Sequence, residues 1–351
     1  MKRKTSLFTV LFLAAFLFGF AVFAWVKPSD AQSQAERRNL TQFPAFSLSG
    51  FASGKWTEQF ESYTLDQFPL REQFRTLKSL VTLGVFRQKD NNGVYLADGF
   101  VAKLEYPLNE KSLQHAQERF KFVYDTYLKG TSVKTYLSII PDKNYFLAAE
   151  NGYPALDYGA FFETMQKSLP WASYIDLTES LTISDYYKTD IHWRQESLLP
   201  AAKTLASAMG TEISDDHTEK TLDRDYYGLY YGYAALPIKP EKISYLTNET
   251  IEAAVVTNFE TGKTGPVYDM EKAAGKDPYE MFLSGSVSLL TIENPNAKTE
   301  KELVIFRDSF ASSLSPLLLE GYKTITLVDI RYLAPERLAQ YLTITDQDVL
   351  F

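Results

Sequence analysis

The sequence predicts an α/β fold, a parallel sheet with flanking helices, set behind an N-terminal membrane or signal segment. Two observations carry the fold class. From Glu302 onward strand and helix alternate: strand 302–306, helix about 311–320, strand 323–328, helix about 335–342 and a further strand from Asp348, the pattern of parallel β-α-β units. The chain of 351 residues is also 45% apolar and 15% aromatic, enough to bury a sizeable core.

The elements follow in order. Lys2, Arg3 and Lys4 precede an uncharged apolar run over 7–26, about 20 residues and longer than the ~7–15 of a secretory signal core. Residues 1–28 therefore read as a signal anchor with a cytoplasmic N-terminus, although Val22-Phe23-Ala24 also permits cleavage after Ala24. Either way the remainder is exported. Without the four basic residues up to Lys27, 32 Lys and Arg face 44 Asp and Glu, a net charge of -12. That balance excludes nucleic acid and a polybasic membrane patch.

Residues 29–42 are polar and aperiodic, as in a spacer, and 43–351 read as one folded domain. Residues 93–99 suggest a short strand closed by a turn. Leu113, Ala116, Phe120, Val123 and Tyr127 share one face of a helix over about 109–128. A strand over 135–140 stops at Pro141, a helix follows over 158–168 and a strand over 173–177, and an amphipathic helix over 195–209 ends at Gly210. Between 211 and 290 the character changes to short strands (242–246 and 253–259), turns and a tyrosine cluster, Tyr226 to Tyr233. That cluster reads as a half-buried hairpin, or as aromatic lining for sugar rings. The last strand stops as it starts, which leaves a truncated C-terminus open.

With no cysteine there is no thiolate metal site or cysteine nucleophile, and His115, His192 and His217 lack ligand spacing, so neither a metal nor a cofactor is expected. His115 and His217 read as ordinary helix-face or solvated residues. Asp190-Ile191-His192-Trp193 carries the chemistry. In an extended segment residues i and i+2 point the same way, so Asp190 and His192 can converge on a third group. Ser309 ends strand 302–306 before a helix, where parallel sheets bind ligands and where helix amides can hold an oxyanion. Ser309 as a helix cap is the plainer reading. Taken together, the three residues compose an Asp-His-Ser triad. Trp193 can pack beneath the imidazole, Arg307 can meet an acidic glycan or close a salt bridge, and Asp329 and Arg331 form a structural pair near the site.

Phe43-Pro44-Ala45-Phe46-Ser47, Leu65-Asp66-Gln67-Phe68-Pro69-Leu70-Arg71, Asn92-Gly93-Val94-Tyr95, Thr189-Asp190-Ile191-His192-Trp193, Arg307-Asp308-Ser309-Phe310 and Asp329-Ile330-Arg331-Tyr332 occur in this order. Their succession resembles the cell-surface DHHW family, related to the alginate O-acetyltransferases with an SGNH-hydrolase-like domain. The resemblance implies an SGNH-hydrolase-like, flavodoxin-like sheet in which Asp190 orients, His192 is base and acid, and Ser309 is the nucleophile. Ile191 replaces the first histidine of the family motif. Phe282-Leu283-Ser284-Gly285-Ser286 resembles a segment usually written with two glycines and an asparagine, which makes Gly285 and Ser286 candidate oxyanion residues with Ser286 departing from the pattern. The implied activity is a serine O-acetyltransferase or acetylesterase on a cell-envelope or extracellular polysaccharide, with a membrane-bound O-acyltransferase partner to supply acetyl groups. The alternative is a catalytically inactive surface protein of the same fold that binds glycan.

Overall fold

The structure, a computed structural model, describes residues 2–351. It divides into two compact units, one formed by residues up to 92 with 231–238, the other by 93–230 with 239–351. Neither the boundary at Asn92 nor the return of 231–238 to the first unit has a signal in the composition.

The first unit opens with α1 (Lys2–Val26), whose stretch Ser6–Val26 is long and apolar enough to cross a bilayer. Residues expected to be a spacer are folded instead. Gln32–Ser33 pairs with Arg38–Asn39, and Arg38 forks onto both carboxylate oxygens of the buried Asp66 at 2.9 and 2.5 Å. Polar composition concealed this, because what orders the segment is a partner some thirty residues away. Helices α2 (Leu48–Ala52), α3 (Lys55–Asp66) and α4 (Arg71–Leu80) follow, and Ser47 caps α2 by accepting from the Gly50 amide.

In the second unit Val94–Ala97 and Phe100–Lys103 form a hairpin whose turn residues, Asp98 and Gly99, are both left-handed. Helix α5 (Glu110–Val123) starts where Asn109 accepts from the Ser112 amide, and a wide turn carries it to Leu128. Helices α6 (Lys143–Leu147), α7 (Tyr158–Ser168), α8 (Leu199–Ala208) and α9 (Leu229–Ala234) come next; α9 passes from this unit into the first.

The central sheet has eight strands: β1 (Thr135–Leu137), β2 (Ser173–Tyr174), β3 (Val255–Asn258), β4 (Lys263–Gly265), β5 (Leu289–Glu293), β6 (Glu302–Phe306), β7 (Thr324–Val328) and β8 (Asp348–Leu350), in the spatial order β4-β3-β5-β7-β6-β8-β1-β2. From β7 to β2 the five strands run parallel, as expected. The other three, β5, β3 and β4, extend the sheet antiparallel. The expected strand over 253–259 thus belongs to the main sheet.

Successive residues of β6 serve opposite faces. Leu303 and Ile305 pack with Leu205 of α8 and Leu317 to Leu319, while Val304 and Phe306 pack with Val123, Met165 and Leu338. Both faces of the sheet are therefore covered. Each fully buried side chain of this kind contributes roughly 1.5–3 kcal/mol. That fixes the C-terminal end of β6, from which Ser309 emerges.

Candidate active site

Asp190, His192 and Ser309 are hydrogen-bonded in series. His192 Nδ1 lies 2.6 Å from Asp190 Oδ1, and His192 Nε2 lies 2.8 Å from Ser309 Oγ. Strand alternation is not what brings Asp190 and His192 together, since residues 188–192 form a bend rather than a strand. Asp190 Oδ1 also accepts from the His192 backbone amide at 3.1 Å, so a side-chain turn two residues long aims the imidazole. The other oxygen, Oδ2, accepts from the Leu229 amide at 2.7 Å. The carboxylate is 1% exposed and both its oxygens are engaged, which holds it fixed beside Nδ1.

Gly228 makes the Leu229 contact possible. Its amide donates to Thr189 Oγ1 at 2.9 Å, and a Cβ there would meet the Thr189 carbonyl at 2.2 Å. The tyrosine-rich segment is accordingly a helix, α9, with Asp190 at its start, and not the hairpin that its β-propensity suggested. Tyr226, Tyr230 and Ala234 are buried.

Ser309 does not cap the helix Ala311–Leu314; its hydroxyl faces His192, and Asp308 Oδ1 takes the Phe310 amide at 2.9 Å instead. The Phe310 amide is thus already satisfied, and that helix is a single turn continued by a tighter one over Ser315–Gly321.

Trp193 is fully buried but does not lie beneath the imidazole. Its Nε1 donates to Ser313 Oγ at 2.8 Å and to the Phe310 carbonyl at 3.2 Å, so it pins the turn that follows Ser309. Tyr279 takes the place assigned to Trp193: its ring stacks on His192 with centroids 4.0 Å apart and planes 12° from parallel. The Tyr279 hydroxyl is 2.8 Å from Ser313 Oγ, and Phe310 closes on the imidazole at 5.0 Å. Burial raises the Tyr279 phenol well above its ordinary range.

Arg307 is buried and meets no carboxylate directly. It donates to Ser312 Oγ at 2.7 Å and to the carbonyls of Val287 at 3.0 Å and Gly285 at 3.4 Å, and burial lowers its pKa. It therefore straps the 285–287 loop to the turn after Ser309, because buried carbonyls require donors. Leu283, Ser284 and Gly285 are all left-handed, and Ser286 is exposed. Asp329, fully buried, accepts a forked pair of bonds from Arg331 at 2.9 and 2.6 Å.

A cavity of about 680 Å³ lies at the C-terminal ends of β1, β6 and β8, lined mainly by apolar side chains. Asp308, Phe310 and Ile191, the chain neighbours of Ser309 and His192, line it. His115, an exposed residue on the face of α5, and Arg119 of the same helix line it too. His217 is elsewhere, 3.3 Å from Asn248 Nδ2. Among the described residues no cluster of His, Asp and Glu has the make-up of a metal site.

Sequence reasoning missed Tyr279, Gly228, Leu229 and Lys143. The last lies on α6, fully enclosed, with its Nζ donating to the carbonyls of Val101, Tyr187 at 3.0 Å and Lys188 at 3.3 Å. An enclosed lysine leaves no periodic signature. Tyr279 was legible only as one aromatic among many.

The chain matches no protein-family model and no curated protein sequence. Its fold is similar to that of a DHHW family protein from Eubacterium siraeum, at 20% identity and a TM-score of 0.59 over 74% of this chain and 91% of that one. It is also similar to Bacillus cereus PatB1 bearing a sulfonyl adduct, at 18% identity and a TM-score of 0.55 over 73% and 94%. The O-acetyltransferase domain of Pseudomonas putida AlgJ aligns at 15% identity and a TM-score of 0.44 over 74% and 89%. The first two likenesses agree with the α/β fold and its mostly parallel sheet described above.

Proposed function

We propose that this chain is an exported, membrane-tethered serine O-acyltransferase or esterase acting on acetyl groups of a cell-envelope or extracellular polysaccharide. The observation that carries the reading is the unbroken series from Asp190 Oδ1 through both nitrogens of His192 to Ser309 Oγ. In the first half-reaction Ser309 Oγ bonds to the acyl carbon and its proton passes to His192 Nε2. The imidazolium, steadied by Asp190 at Nδ1, then protonates the departing group and leaves an acyl-serine. In the second half-reaction an acceptor hydroxyl gives its proton to Nε2 and attacks the acyl carbon, and Ser309 recovers its proton. A sugar hydroxyl as acceptor makes the protein a transferase; water makes it an esterase. A membrane-bound O-acyltransferase partner would deliver the acetyl groups. Helix α1 serves as the tether and places the rest of the chain outside the cytoplasm.

The test is hydrolysis of p-nitrophenyl acetate by the full chain in detergent, with intact mass to detect an acetyl adduct. Ser309→Ala should abolish both turnover and adduct, and His192→Ala should abolish turnover. A folded wild-type protein with neither turnover nor adduct would instead favour glycan binding without catalysis.

A further inference from the structure

Unit one wears its polarity inside out. On α4, Phe74, Leu77 and Leu80 recur at intervals of three and are all exposed, Leu77 by 55%, while the same helix turns Arg71, Arg75 and Ser79 inward. Arg71 and Arg75 meet Glu36 at 2.7 and 3.3 Å, and the fully buried Ser79 Oγ takes a bond of 2.8 Å from the buried Asn91. The end of α3 repeats the arrangement: Asp66 and Gln67 are buried, whereas Leu65 and Phe68 are exposed. Beyond α4, Val85 and Phe86 are about 70% exposed. A water-facing protein has the opposite pattern.

The apolar surface is continuous with α1. Phe20 stacks on Phe68 with centroids 5.5 Å apart and meets Phe74 edge-on at 5.7 Å. Phe20 stands seven residues before Lys27, about 10 Å along the helix. With Lys27 at the headgroups, Phe20 lies well inside a hydrocarbon core roughly 30 Å thick. Rings that touch it share its depth. We infer that α3, α4 and the turn after α4 form a platform that lies in the outer face of the lipid bilayer, with Phe68, Phe74, Leu77, Leu80 and Phe86 in the acyl region. The occupant of this surface is lipid, because the patch runs without a break onto a helix of membrane-spanning length. The inference rests on α1 being retained as an anchor. It adds a second, monotopic attachment to the single span.

The chain holds no cysteine, so single nitroxide labels can be placed on it without background. Full-length protein in phosphatidylcholine and phosphatidylglycerol vesicles would carry a label through Leu77→Cys or Phe86→Cys. Leu13→Cys in α1 reports the anchor, and Lys167→Cys at the end of α7 reports water. The platform requires the Leu77 and Phe86 labels to relax with oxygen and to be shielded from a water-soluble nickel chelate, as the Leu13 label is. Labels at 77 and 86 that match the one at 167 while the Leu13 label is buried would overturn the platform and leave the anchor intact, making a protein partner the occupant to test. A water-exposed Leu13 label would remove the anchor, and the platform with it.

Discussion

Asp190 decides the site at the scale of single residues, since its carboxylate serves the imidazole, the His192 amide and the Leu229 amide at once. Asp190→Asn keeps the shape but presents an amide to Nδ1 and favours the wrong tautomer. Turnover of p-nitrophenyl acetate should fall about 10⁴-fold with the acetylated-serine mass still obtainable on long incubation. A loss of less than tenfold would show that Asp190 does no more than shape the bend. Tyr279 poses a different question, because its ring holds one face of the imidazole while its hydroxyl reaches Ser313. Tyr279→Phe should cost about 1 kcal/mol in denaturant unfolding and leave the pH profile of turnover unchanged. Tyr279→Ala, which opens a void against His192, should cost about 3–5 kcal/mol and shift that profile. Asp190, His192 and Ser309 were legible because the chain has only three histidines, and Thr189-Asp190-Ile191-His192-Trp193 followed by Arg307-Asp308-Ser309-Phe310 keeps the order of a known family's motifs. Tyr279 was not, since stacking leaves no local pattern in a chain with 23 tyrosines.

At the scale of elements, the start of α9 and the bend at 188–192 are one assembly. Gly228 is where the two backbones come closest: its missing Cβ is the space that the Thr189 carbonyl fills, at 2.2 Å. Gly228→Ala must push the bend away from α9, and the Leu229 amide with it. We expect a loss of about 1–3 kcal/mol by denaturant titration together with a fall in turnover of at least tenfold, since the carboxylate moves with the bend. Full activity in that variant would mean that the bend relaxes without carrying Asp190. The parallel strands were readable from alternation and apolar runs because both faces of β6 are buried. Helix α9 was not, since its tyrosines favour a strand locally and the contacts that make it a helix come from Thr189 and Asp190, about forty residues earlier. Likewise Pro316 and Pro335 shorten or tighten the two helices expected near the C-terminus into turns with three residues per repeat.

Stability as a function of pH belongs to the whole molecule, and there Lys143 is a group near the site whose titration a single substitution can isolate. Its ammonium is enclosed by three carbonyls from two separate segments of the second unit, and burial pushes its pKa down to about 7 from the usual 10.5, against a weaker upward pull from Asp190. In the unfolded chain the same group titrates near 10.5. Below about pH 7 both states hold the proton, and Lys143 adds no pH dependence. Between about 7 and 10.5 the unfolded chain holds one proton more than the folded one, so stability rises with pH, by at most about 1.4 kcal/mol per pH unit. Buried tyrosines such as Tyr186, raised well above the ordinary phenol range by desolvation, work the other way only above about pH 10, where unfolded phenols ionise. The window from pH 7.5 to 9.5 therefore isolates the lysine. Lys143→Met removes the proton and should flatten the slope of unfolding free energy against pH in that window relative to wild type, whatever its effect on absolute stability. Parallel slopes for the two proteins would mean that the three carbonyls hold the ammonium charged and that the group titrates in the folded state where it does in water. The charge matters for the site as well, because the carbonyls of Tyr187 and Lys188 lead directly into the bend that carries Asp190 and His192. Turnover should follow the same titration if the charged form is what holds the bend in place.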